Sequence, residues 1–99
     1  MRILAIGSEK SHVNWANQDA ALTAESKRVW RLYKQGILRE IYFTPDQSEA
    51  ILMLECADER RARRVLASLP LVKRGLISFE IRVLAPYTGY ERLFASAAK

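Results

Sequence analysis

Glu25 occupies a position where a carboxylate costs free energy. On a helical projection of Leu22–Gly36, Leu22, Val29, Tyr33 and Gly36 form one stripe flanked by Leu32 and Trp30. Lys27, Arg31 and Lys34 fall on the opposite side. Glu25 projects into the apolar sector, about 60° from Leu22 at 100° per residue. A carboxylate there must be satisfied by a partner. A partly desolvated carboxylate is also what cofactor-free proton transfer requires: a base whose pKa nears the working pH, with a donor to steady the developing charge. Two readings stay open. Glu25 forms a structural ion pair with Arg28, one turn on, or with Arg39, which interrupts the helix-facing side of its strand; this is the simpler explanation. Alternatively Glu25 is a general base, and Arg28 or Arg39 orients an anionic substrate.

Other side chains can serve such a site or none. His12, the single histidine, lies in a polar loop, where it is either a general acid or incidental. Trp30, Tyr33 and Tyr42, with Trp15, can shape an apolar pocket, although helical aromatics serve equally well as core. Tyr87 and Tyr90 either close a pocket or anchor the tail. Cys56 reads as a buried small hydrophobe. The sequence holds no phosphate-cradling glycine motif, no Cys/His cluster and no Ser–His–Asp arrangement in recognisable context. Neither a metal nor an organic cofactor is expected. Nor is a nucleic acid. Much of the net charge of +5 comes from Arg60, Arg61, Arg63 and Arg64 on one short helix, which reads as a solvated face. RNA binding would further need aromatic residues on central strands, and Ala50–Cys56 has none.

The elements that must position these residues follow from periodicity and turn chemistry. Residues 2–7 read as a strand. A long polar loop, SEKSHVNWANQDA, comes next and is a candidate lid. The first helix begins near residues 18–20 and stops at Gly36. Ile37–Phe43 and Ala50–Cys56 read as strands of one hairpin, with turn residues at Thr44–Gln47. Asp58 caps a second helix whose stripe is Ala62, Val65, Leu66 and Leu69, and Pro70 stops it. Leu76–Leu84 is the last strand, Pro86 ends it, and Tyr87–Phe94 turns into a short helix. The order is βαββαβ, which predicts a single α+β domain over residues 1–99 of the ferredoxin-like type, with a tail from about 86.

The chain has 99 residues, 49% hydrophobic and 27% charged, with one cysteine and no apolar run of membrane-spanning length. These features predict a cytoplasmic globular protein without disulfides. Strand alternation predicts one sheet face, with Ile77, Phe79, Ile81, Val83, Leu52, Leu54, Ile37, Ile41 and Phe43, against the helices. The opposite face mixes Leu38, Ile51 and Met53 with Glu40, Glu55, Glu80 and Arg82, and also carries Tyr42. So many aliphatics there are costly in water, which predicts pairing with a second sheet, hence a homodimer or higher oligomer.

Leu69-Pro70-Leu71, Gly75, Phe79-Glu80-Ile81, Leu84 and Pro86, with the helix Ala24-Glu25-Ser26-Lys27 running to Gly36, resemble the muconolactone isomerase-like proteins. The likeness spans residues from about 20 to 86. It implies a dimeric α/β barrel, two four-stranded sheets facing each other with helices outside. It also implies a double-bond shift by proton transfer without metal or organic cofactor, in the breakdown of aromatic compounds. Glu25 falls on the acidic position of the family's first helix. Where the family has a basic residue just before it, this chain has Leu22, Thr23 and Ala24, which argues against muconolactone itself as substrate. Two functions stay in play. One is a small isomerase with Glu25 as base and Arg28, Arg39, Trp30, Tyr33, Tyr42 and His12 around a small lactone or aromatic-derived substrate. The other is a non-catalytic dimeric module that binds a small molecule or docks by its tail.

Overall fold

The structure is a computed structural model that describes residues 1–11 and 13–95; the candidate His12 lies outside the described residues. Strand β1 (Arg2–Glu9) leads through a 3-10 turn at Trp15–Asn17 into helix α1 (Asp19–Lys34). Then come β2 (Leu38–Phe43), β3 (Glu49–Glu55), α2 (Glu59–Ala67), the short α3 (Pro70–Lys73) and β4 (Ile77–Leu84). A second 3-10 turn at Gly89–Glu91 precedes α4 (Arg92–Ala95). The four strands form one antiparallel sheet in the order β2-β3-β1-β4. This is the ferredoxin-like α+β arrangement. Strand β1 extends past Gly7 because Ser8 and Glu9 continue its pairing with Ser78 and Ile77. The expected long loop is correspondingly shorter.

Both helical segments that precede a strand end by the same device. Gly36 and Gly75 take positive φ of 79° and 72°, a region open to residues without a Cβ. The Ile37 amide then donates to the Leu32 carbonyl at 3.1 Å, and the Leu76 amide to the Leu71 carbonyl at 2.9 Å. This pairing satisfies helix-end carbonyls and turns the chain into β2 and β4. Pro70 does more than stop α2. It sits at the first position of α3, where its missing N–H costs nothing.

Ile3, Leu32, Leu38, Leu54 and Leu69 are the largest fully buried side chains, joined by the α2 stripe Ala62, Val65 and Leu66. Leu38 corrects the expected face assignment. A register shift in β2 lies between Leu38, opposite Leu54, and Glu40, opposite Met53. One extra residue, Arg39, is accommodated there, so the faces on its two sides fall out of simple alternation. Leu38 therefore enters the core while Ile41 and Phe43 keep the helix-facing side, and Arg39 stays exposed.

Candidate active site

A cleft of about 710 Å³ opens between α1 and the sheet. Its floor is the helix-facing side of the sheet, including Leu38, Ile41, Leu52 and Phe79. Its wall is one side of α1, from Leu22 through Glu25 and Val29 to Tyr33. Phe43 and Ile41 remain exposed although they face the helices, because the space above them is this cleft. Gly7 also belongs to the floor: a Cβ there would come within 2.6 Å of the Phe79 ring. Glycine thus lets that ring lie over β1. At the mouth, the β2–β3 turn contributes Gln47 and Ser48. Asp46 braces this turn, its Oδ1 accepting from Thr44 Oγ1 at 2.7 Å, Ser48 Oγ at 2.8 Å and the Ser48 amide at 3.0 Å. These donors, the Ser48 amide foremost, hold its carboxyl at about 2.

Glu25 sits half-buried in this wall. Its Oε1 accepts from the Leu71 amide at 3.0 Å. That amide belongs to the first turn of α3, whose flanking Leu69 supplies no side-chain cap. Glu25 therefore caps α3 from a neighbouring helix. Burial pushes its pKa above the ordinary 4.5, against the smaller lowering effect of the Leu71 hydrogen bond. The expected ion pair is not formed. Among the described residues neither Arg28 nor Arg39 bridges to Glu25. Arg28 turns toward the end of α2 instead, where its Nε donates to Ser68 Oγ at 3.1 Å. That position also complements the negative end of α2.

The other sequence candidates divide by position. Trp30 and Tyr33 line the cleft and stack on each other, ring centroids 5.6 Å apart. They sit at the rim rather than in the core, each more than half exposed. Lys34 lies over the Trp30 ring, 5.9 Å from its centroid. Arg28 and Arg39 are not among the lining residues. Tyr42 is not either: it alternates to the opposite sheet face, where its hydroxyl donates to Glu40 at 2.9 Å. Phe79, Ile41, Gln47 and Ser48 line the cleft although sequence reasoning did not single them out. The apolar pattern of the helix-facing strands was the available signal for Phe79 and Ile41. Trp15 also lines the cleft, and its buried Nε1 has no partner among the described residues. No three metal-binding side chains converge among those residues.

The fold and cleft define a class: a small ferredoxin-like protein with an acid-bearing apolar site between its first helix and its sheet. The muconolactone delta-isomerase family model matches residues 8–89, and the chain belongs to that family. No curated protein matches its sequence. Among solved structures, muconolactone isomerase is similar at a TM-score of 0.75 and 14% identity, covering 89% of this chain and 92% of its own. A 5-chloro-2-hydroxyhydroquinone dehydrochlorinase from Burkholderia phenoliruptrix AC1100, in complex with 2,5-dihydroxybenzoquinone, is similar at 0.69 and 12% identity. That match covers 90% of this chain and 98% of the dehydrochlorinase. The shared fold thus carries more than one reaction.

Proposed function

We propose that this protein is a cofactor-independent isomerase-type enzyme that moves a proton on a small lactone or aromatic-derived substrate, with Glu25 as the base. The observation that carries the reading is a carboxylate held in an apolar cleft wall with its pKa raised. Such a group combines a useful proton affinity with a fixed position. Oε1 is engaged by the Leu71 amide, and Oε2 takes no hydrogen bond among the described residues. The carboxylate removes a proton from a carbon next to a carbonyl, and the electron pair moves into the conjugated system. Return of that proton at another carbon shifts the double bond without gain or loss of atoms. The rim aromatics Trp30 and Tyr33 exclude water around a flat ligand.

Family membership supports this reaction class, and the dehydrochlorinase with its bound quinone supports a ring-sized ligand. The working unit is a homodimer or higher oligomer in the cytoplasm, associated through the open sheet face. A second reading, binding without turnover, draws support from the exposed aromatic tail as a docking element. Glu25→Gln separates the two. It preserves an acceptor for the Leu71 amide and removes the base. Substrate-dependent solvent deuterium exchange should fall by about 10²–10⁴-fold with the circular dichroism spectrum intact. An unchanged exchange rate would sink the catalytic reading.

A further inference from the structure

Among the described residues, the cleft lining carries no cationic side chain to meet an anion. Among the described lining residues the titratable groups are Tyr33 and two carboxyl residues, Glu9 and Glu25, and there is no lysine or arginine. The two arginines best placed by sequence to meet a substrate carboxylate are otherwise disposed. Arg28 donates to Ser68 at the end of α2, and Arg39 is exposed at the β2 irregularity. Lys34 is drawn over the outer aromatic Trp30 and is not part of the lining. One helical turn before Glu25, the wall carries Leu22.

We infer that the cleft selects uncharged substrates: flat, unsaturated ring compounds with carbonyl or hydroxyl oxygens and no carboxylate. The inference deepens the proposed function, since it concerns the substrate of that same site. Two physical terms carry it. An anionic group moved from water into a mainly aliphatic and aromatic cleft loses hydration that no lysine or arginine of the described lining replaces. It would also lie in the same low-dielectric space as Glu25, whose ionised form the reaction requires, so the two negative charges oppose each other. A neutral ring incurs neither cost. Its faces match Phe79, Trp30 and Tyr33, while Ser26, Gln47 and Ser48 supply hydrogen-bonding groups that suit carbonyl and hydroxyl oxygens.

Matched ligand pairs test this by equilibrium binding, read from quenching of the indoles that line the cleft and checked by calorimetry. The pairs are an unsaturated five-membered lactone bearing an acetate side chain against its methyl ester, and hydroxybenzoate against hydroxybenzamide. The neutral member should bind at least about tenfold more tightly in each pair at pH 7, a difference set by uncompensated charge burial. Leu22→Lys, which places a cation one turn from Glu25, should narrow or reverse the preference. Equal or tighter binding of the acids to the wild-type protein, or no displaceable binding of either member, would overturn the inference. Because binding is read without turnover, the outcome is distinct from that of the exchange experiment. Preference for neutral ligands with exchange unaffected by Glu25→Gln would leave the substrate class standing and remove the base.

Discussion

A carboxylate that caps one helix from another while facing an apolar cleft answers two opposing demands. The Leu71 amide favours the charged form of Glu25, and burial disfavours it more strongly. The balance has a measurable sign. A carboxyl whose folded-state pKa lies above its unfolded value binds more protons when folded, so its contribution to stability is present below about pH 4.5 and is lost as pH rises through the folded value. Glu25→Gln removes this penalty and keeps the cap. Its melting temperature should equal that of the wild type in acid and exceed it at neutral pH, where the wild type has lost that contribution. Glu25→Ala deletes the cap as well and should fall below Glu25→Gln by about 1 kcal/mol. Thermal denaturation from pH 4 to 8 checks both. A Glu25→Gln protein less stable than the wild type at neutral pH would mean that the charge itself is structural. Raised stability accompanied by lost exchange is the trade expected of a catalytic base.

At the level of elements, most of the fold was legible because helix and strand periods differ and because Gly36, Asp58 and Gly75 have positional meaning. The βαββαβ order, the α2 stripe and the hairpin all appear as the pattern implies. The apolar stripe of α1 was legible too, and so was the intrusion of Glu25 on it. Its partner was not. A backbone amide 46 positions away has no residue-type signature, whereas nearby arginines invite an ion pair. The bulge was equally hidden, since Leu38, Arg39 and Glu40 read as ordinary alternation. The bulge lets Leu38 and Ile41, three positions apart, face the same side, and this can be tested by deletion. Removing Arg39 leaves Leu38, Glu40 and Ile41 opposite Leu54, Met53 and Leu52 one for one, so Leu38 and the Ile41–Phe43 pair all keep the helix-facing side. The deletion should therefore retain both the core and ligand binding, which chemical denaturation alongside ligand titration checks. Destabilisation by about 2–5 kcal/mol, the cost of losing Leu38 from the core, would refute this role for the bulge, and so would weakened binding from loss of Ile41 and Phe43.

The whole molecule exposes more surface than its size calls for. A monomer of 11.3 kDa is expected to expose about 5,700 Å², and this one exposes 7244 Å². Its radius of gyration is 17.2 Å, against about 13 Å for a compact domain of this length. Part of the excess is the tail, where Tyr87, Tyr90, Leu93 and Phe94 are each about two-thirds exposed or more. Tyr87 and Tyr90 meet each other edge to face at 4.9 Å. The tail leaves from the end of β4 that pairs with Arg2, whereas the cleft lies toward Gly7 and Phe79. A second part is the open sheet face, where Leu4, Ile6, Ile51 and Met53 remain partly exposed. Two of its carboxylates are ion-paired within the chain, Glu55 with Arg2 and Glu80 with Arg82 at 3.0 Å, and Glu40 accepts from the Tyr42 hydroxyl. Internal pairing lowers the cost of burying such a face against another copy. Met53→Glu, near the centre of the face and outside the core cluster, adds an unmatched carboxylate and should convert the proposed oligomer to folded monomer by light scattering at micromolar concentration. Truncation after Ala85 removes the exposed aromatics and leaves the face intact. If the sheet holds the subunits together, the truncated chain should still dimerise while any larger assembly dissociates. If the tail alone holds them, truncation should give monomer and Met53→Glu should not. A wild-type chain that is monomeric at that concentration would refute association through either surface.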